Sequence, residues 1–339
     1  MIGLLLLLAG PPQASEVERP APASPVSAET RAQQNEAWIA AMARAHALSE
    51  AQVAAARAVV EGSEFLSQGN PAISEHPMSR GQCQTSLEAA GVRWTTPEAE
   101  AVCGRPYMVP LYDPASQPPA DAGACVDVME FPDVPCEYPV VWVRAREAQL
   151  LCQAVGKRLC DAHEWEGACA GSLQPPDYDW TASAAGAGAV GALRYAHNAK
   201  QQRAWAYGPE FQTGVCAQAS YKTAGCGGGD WRGCGSNTYP TGAFPGCTSA
   251  LGVTDLHGNA AEHMNLPLSP EQLASAGGAL GVTEMKGSWF IWDKYRAHED
   301  WCRWRAPFWH GGSVMAGDSH RNYHLSFRCC ADVAPEEAE

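Results

Sequence analysis

Basic residues are scarce in this 339-residue chain: 23 Lys and Arg stand against 37 Asp and Glu, a net charge of −14. With few Lys/Arg runs, such a surface repels phosphate backbones and anionic lipid, which argues against nucleic acid and anionic membrane as partners. Long apolar runs are missing too. The one at the start, in MIGLLLLLAGPPQAS, is too short to span a bilayer, so no membrane insertion of the mature chain is expected. It also lacks the preceding Lys or Arg of a standard signal, and no Cys follows it to carry a lipid anchor. We read residues 1–15 as a secretory signal peptide, either a poor one or one whose true start lies upstream. Cysteine, by contrast, is plentiful. Fourteen cysteines, an even number, suit full pairing in an oxidising compartment, so the expected location is periplasmic or secreted.

The stretch PPQASEVERPAPASPVSA cannot pack, and residues 16–29 read as a disordered Pro/Ala-rich linker. Residues 30–62 turn helical. Trp38, Ile39, Met42, Ala43 and Leu48 form one apolar stripe, and Ser49 with Gln52 makes a capping box for a second helix that Gly62 stops. Such a helix pair needs a surface to bury its face against. Residues 63–123, rich in turn formers, read as a loop-rich extension of the main domain rather than an independent unit.

The main domain, residues 124–332, opens with two strand-like runs, CVDVMEF and VVWVRA. Arg144 to Val155 has helical periodicity with Ala148, Leu151, Cys152 and Val155 on one face. In CDAHEWEGACAG, Asp161 is placed to N-cap a helix carrying Trp165 and Cys169 one turn apart. Beyond it Gly, Cys, Trp and Pro dominate with little periodicity, which predicts long loops held by disulfides and aromatic packing rather than a regular sheet. Residues 333–339 form an acidic tail.

Three separated blocks carry a resemblance: YPVVWVRAREAQLLCQAVGKRLCDAHEWEGACAG, then GVTDLHGNAAEH, then SFRCC. In that order they resemble the formylglycine-generating enzyme family, the sulfatase-modifying factors, over roughly Ala124 to Asp332. The resemblance implies an α+β, C-type-lectin-like formylglycine-generating-enzyme fold, loop-rich and disulfide-rich, here with an N-terminal helical extension. In GKRLCDAHEWEGACAG it places Glu164 and Glu166 beside Trp165; we expect the Trp to fill core and the acids to bind Arg or backbone donors.

The second block resembles the family's calcium site and implies Asp255, Gly258, Ala260 and Glu262 as ligands. The chemistry suits a hard cation, which wants carboxylate and carbonyl oxygens on a tight turn. A competing reading is a hydrogen-bonded turn with Glu262 paired to an Arg. A second calcium site of the family would use Asn198.

Copper is not expected. The family's oxidase chemistry needs two thiolates five residues apart, because soft sulfur suits Cu(I). In KGSWFIWDKYRAHEDWCRWRAPFWHGG, counting back from Cys302 puts Ala297 and Trp292 at those positions; counting forward from Trp289 puts Ile291 and Arg296 there. A His298–Cys302 pair is the remaining catalytic candidate. The resemblance further implies bridges Cys152–Cys329 and Cys169–Cys302, leaving Cys160 to Cys330; a rival set joins Cys160 to Cys169 and Cys302 to Cys330. Cys83–Cys103 and Cys125–Cys136 are plausible local pairs. Cys216, Cys226, Cys234 and Cys247 would make two bridges in one Gly-rich loop. Each bridge would contribute roughly 2–4 kcal/mol.

His320, His324 and His310, with Asp318, offer a zinc or iron set, against a plain reading as histidines hydrogen-bonded around Trp-rich loops. Trp289, Trp292, Trp304 and Trp309, with Arg303 and Arg305, read either as a binding groove or as core filling, as does Trp301. The functional expectation is an exported family member, stabilised by calcium and disulfides and lacking the copper oxidase reaction, that binds a protein or glycan partner. The alternative is an oxidoreductase modifying a protein-borne residue, with Cys302 as sole thiolate or with a histidine-based metal.

Overall fold

The computed structural model describes residues 30–183, 187–306 and 312–334. The residues read as a signal peptide and linker, 1–29, and Trp309 lie outside the described residues. Helices α1 (Arg31–Ala45) and α2 (Glu50–Glu61) each open on a capping box, Thr30 with Gln33 and Ser49 with Gln52. Their apolar stripe finds its surface on the main body. Trp38, Ile39 and Met42 are fully buried in one cluster with Phe131, Val140, Leu151 and Phe327. Burying each such side chain is worth about 1.5–3 kcal/mol, enough to dock two short helices. Just past α1, His46 Nε2 donates to the carbonyls of Pro132 and Asp133. Burial, helped by the Lys157 charge, lowers its pKa to about 4 and keeps the ring neutral.

Two helices and a strand occupy the segment that the sequence reads as loops: α3 (Arg80–Ala89), α4 (Pro97–Cys103) and β1 (Met108–Leu111). Their cysteines pair differently from expectation. Cys83 bonds Cys136 and Cys103 bonds Cys125, not Cys83 with Cys103 and Cys125 with Cys136. The cause is the sheet. Strand β1 pairs antiparallel with β2 (Ala124–Asp127), setting Pro110 opposite Cys125, and α4 packs on β1 so that its last residue meets that sulfur. Nearness in sequence was overruled by register.

Helix α5 (Ala145–Ala154), strand β3 (Arg158–Leu159) and helix α6 (Ala162–Ala170) follow. The run VVWVRA is not a strand. Trp142 adopts φ 57°, Val141 makes a single bridge to Ser67, and Val140 to Val143 are all buried. Asp161 occupies the cap position of α6, but its carboxylate accepts from Ala274 N, Ser275 N and Oγ, and Asn265 Nδ2. Glu164 supplies the local cap instead, accepting from Asp161 N.

Beyond α6 lie α7 (Trp180–Ser183) and α8 (Ala187–Lys200), a departure from the expectation of loops alone, then a long irregular stretch to residue 260. Strands β4 (Ala261–Leu266), β5 (Val282–Lys286), β6 (Leu325–Phe327) and β7 (Cys329–Ala331) complete two small sheets. Their orders are β1-β2-β7-β3 and β5-β4-β6, with β4 and β6 parallel.

All fourteen cysteines are bridged. Cys152–Cys329, Cys160–Cys330 and Cys169–Cys302 tie the α5–α6 unit to the C-terminal region, and the rival pairing is absent. The Gly-rich loop carries Cys216–Cys247 and Cys226–Cys234. The first two long-range bridges are not additive, since closing Cys152–Cys329 leaves little chain entropy for the adjacent Cys160–Cys330 to remove. Seven bridges fit an oxidising compartment. No helix among the described residues is long and apolar enough to cross a membrane.

Candidate functional site

The GVTDLHGNAAEH block forms a tight turn that leads into β4. Asp255, Gly258 and Asn259 all have left-handed backbone, with φ of 58°, 81° and 51°. A side chain on Gly258 would sit 2.6 Å from the Ala217 carbonyl, so only glycine fits there. Glu262, on β4, is held by Arg328 through two charge-assisted bonds of 2.8 and 2.7 Å, and accepts a third from Trp165 Nε1 at 2.6 Å. Arg328 spends its remaining donors on the carbonyls of Asp127, Val128 and Thr254.

Two more buried carboxylates stand near this pair. Asp255 Oδ2 accepts from Gly242 N at 2.6 Å, and Glu130 accepts from Asn259 Nδ2 and Ala260 N, both at 2.7 Å. Burial raises the pKa of Asp255 to about 6, with Glu262 adding to the effect against Gly242 and Arg328. Burial, then the charges of Asp255 and Glu262, lifts Glu130 well above the carboxylate range. Three carboxylates thus share one guanidinium. The competing expectation, a hydrogen-bonded turn with Glu262 paired to an Arg, is what the structure shows: Oε2 is taken by Arg328 and Trp165, Oε1 by Arg328, and among the described residues the three carboxylates do not form a convergent metal-ligating group. Glu130 and Arg328 were not singled out from the sequence, although Arg328 lies inside the SFRCC block.

Helix α6 links this acid-rich turn to a second ionic centre. Trp165 points to Glu262, while its neighbour Glu166 accepts from Lys286 Nζ at 2.7 Å and from Arg305 at 2.8 and 3.1 Å. Burial alone would raise Glu166, yet Arg305, Lys286 and His197 together hold it down to about 2. Arg305 also bonds Asp177, and His197 lies between Asp177 and the Arg303 carbonyl. Glu164, as expected, pairs with Arg158. Asn198 clamps the Arg305 backbone, its amide bonding both N and O at 2.8 Å.

Cys302 is bonded to Cys169 at 2.03 Å. The imidazole beside it is His257, not His298. His257 Nε2 stands 3.3 Å from Cys169 Sγ and 3.9 Å from Cys302 Sγ. The clue was in view, because His257 lies inside the quoted turn motif. His298 instead stacks on Trp304 at 5.0 Å and near parallel, and contacts Trp289 and Trp292; burial lowers its pKa to about 4. Trp289, Trp292 and Trp304 are all buried, and His324 stacks on Trp289 at 4.7 Å. Tyr295, 59 % exposed, is presented outward from the same segment. Arg303 reaches the Ser172 carbonyl. His310 lies outside the described residues. Among the described residues, convergent groups of metal-ligating side chains are Cys169–His257–Cys302 and Cys160–Glu164–Cys330; His320 and His324 belong to neither.

With this geometry in place, the comparisons are informative. A protein-family model, the sulfatase-modifying factor enzyme 1-like domain, matches residues 69–334. The chain therefore belongs to the sulfatase-modifying factor family, that of the formylglycine-generating enzymes. A search of curated proteins finds no match. Among solved structures it is similar to Major Tropism Determinant I1 Variant, at 11% identity and a TM-score of 0.28, over 67% of this chain and 46% of that one. The chain spans less than half of that protein's length, and so distant a likeness carries no argument.

Proposed function

We propose that this chain is an exported, C-type-lectin-like member of its family that has given up the copper oxidase reaction and acts as an accessory module binding a protein or glycan. The observation that carries this reading is the bond between Cys302 and Cys169. A disulfide sulfur is neither a thiolate nucleophile nor a Cu(I) ligand, and none of Trp292, Ala297, Ile291 and Arg296 supplies a thiolate. A calcium ion held by Asp255, Glu262 and the carbonyls of Gly258 and Ala260 would supply the positive charge that the buried acids lack. It would fix the turn rather than take part in a reaction. The partner surface is the segment from Trp289 to His324. Its buried Trp and His rings form a preorganised base, and Tyr295 with the neighbouring Arg296 and Arg303 offers contacts of the kind enriched in binding sites.

Two measurements test this reading. Thiol titration of the denatured, unreduced protein should find no reactive sulfur. A peptide with the family's CxPxR substrate motif should not be converted to formylglycine when copper and oxygen are supplied. Turnover of that peptide would overturn the accessory-module reading in favour of the oxidoreductase.

A further inference from the structure

The Cys169–Cys302 bridge has a neighbour that an inert crosslink does not require. His257, with no exposed surface, places Nε2 within 4 Å of both sulfurs, and the three potential donor atoms all lie within 4.8 Å of one another. The imidazole is oriented from two sides. Nε2 accepts the Ala206 N–H at 3.0 Å, so the proton of the neutral ring sits on Nδ1. On its other side Nδ1 faces Asp300, with Oδ2 at 3.8 Å.

Asp300 is itself fixed by Trp205 Nε1 at 2.9 Å, Ser288 Oγ at 3.0 Å and Gln218 Nε2 at 3.2 Å. A carboxylate behind one imidazole nitrogen, with the other nitrogen aimed at sulfur, is the arrangement by which outer groups orient metal-ligating histidines. A short cover closes the site. Residues Trp205 and Gly208 exchange two backbone hydrogen bonds, and Ala204 O accepts from Cys302 N at 2.8 Å.

We propose that Cys169, Cys302 and His257 form a cryptic three-donor site for a soft monovalent d10 cation, created when a dithiol reductant opens their bridge. The balance is simple. The dithiol delivers two electrons and two protons to the S–S bond and becomes a cyclic disulfide, leaving two thiols. Each sulfur that then ligates the cation releases its proton to solvent. Two sulfurs and one imidazole are a soft donor set, unlike the all-oxygen turn formed by Asp255 and Glu262 a few residues away. The entering cation takes the Nε2 lone pair from Ala206, so loading should loosen the 204–208 cover.

Ag(I) is the probe, because it is soft and does not itself cycle between redox states under these conditions. The full chain is treated anaerobically with increasing dithiol, desalted and given one equivalent of Ag(I). Native mass spectrometry counts the metal, and differential alkylation maps the thiols. One silver per chain is expected, with Cys169 and Cys302 protected from alkylation. His257→Gln keeps an acceptor for Ala206 and should weaken silver retention against a thiol competitor about tenfold or more at an unchanged thiol count. Asp300→Asn should weaken it less.

Three results would overturn the proposal: silver protecting a different cysteine pair, equal retention by His257→Gln, or a bridge that opens only with loss of the near-ultraviolet circular dichroism of the folded state. If His257→Gln does not fold, Asp300→Asn carries the comparison, and equal retention by it counts against the site.

Discussion

The two buried ionic centres on either side of α6 are built from the same residue types in opposite proportion. Around Glu262, three carboxylates share the single guanidinium of Arg328. Around Glu166, the carboxylate faces Lys286, Arg305 and His197, with the buried Glu284, paired to Arg194, also acting on Lys286 and with Asp177 at the edge. The pKa values follow. Glu166 is held near 2, whereas Asp255 is pushed to about 6 and Glu130 higher than its usual range. Burial alone predicts neither outcome; the local count of opposite charge decides the sign. The Glu166 centre is complete within the chain, while the Glu262 centre is short of positive charge. That shortfall is what a calcium ion would make good.

The largest expected effect tests the self-contained centre. Glu166→Gln strips the counter-charge from Lys286 and Arg305 and should cost about 3–5 kcal/mol, or abolish soluble expression. Denaturant unfolding or yield measures it; a loss below about 1 kcal/mol would mean the centre is not the closed unit described here.

Calcium should distinguish the centres next. At a hundredfold excess over its dissociation constant, calcium should add about 2.7 kcal/mol to the wild type, lost with a chelator and absent in Asp255→Asn. Thermal scans with and without chelator decide it, and an unchanged midpoint in the wild type would remove calcium from the account.

The pH response should have opposite sign at the two places. A depressed carboxylate such as Glu166 contributes stability that is present above the ordinary carboxylate pKa and disappears as pH falls toward about 2, on the order of 3 kcal/mol in all. Asp255, raised to about 6, behaves in reverse: in chelator its contribution is greatest at acid pH and fades as pH rises through 6. Asp255→Asn should therefore gain on the wild type as pH rises from about 4 to about 6 in chelator and hold that gain above, read from paired urea titrations.

The smallest effect concerns the link between the centres. Trp165→Phe keeps an aromatic ring but removes the rest of the buried indole together with its 2.6 Å bond to Glu262; the bond's share is about 1–2 kcal/mol on top of the lost packing, with the behaviour of Glu166 unchanged.

Much of this was legible beforehand. The Ser49–Gln52 capping box of α2, the apolar face of α5 and the binding of Glu164 to an Arg are short-range consequences of residue type and spacing. Cys152–Cys329 and Cys169–Cys302 followed from the family resemblance. The failures have a common cause. Cys83 bonds Cys136 rather than Cys103 because α4, β1 and β2 bring Cys125 to Cys103 first. VVWVRA is buried on every side but is no strand, because Trp142 turns left-handed. Glu130 and His257 acquire their importance from residues more than a hundred and about fifty positions away, respectively.

The amino-acid sequence alone settled helices α1, α2, α5 and α6, the richness in pairable cysteines and the absence of a thiolate pair in the GSW segment, since each depends on composition or on neighbours a few residues apart. Tertiary structure alone decided which sulfurs meet, how charge is divided between Glu166 and Glu262, and that an imidazole lies against a disulfide. Those are distances between remote segments, and Coulomb and bonding forces act on distance in space, not along the chain.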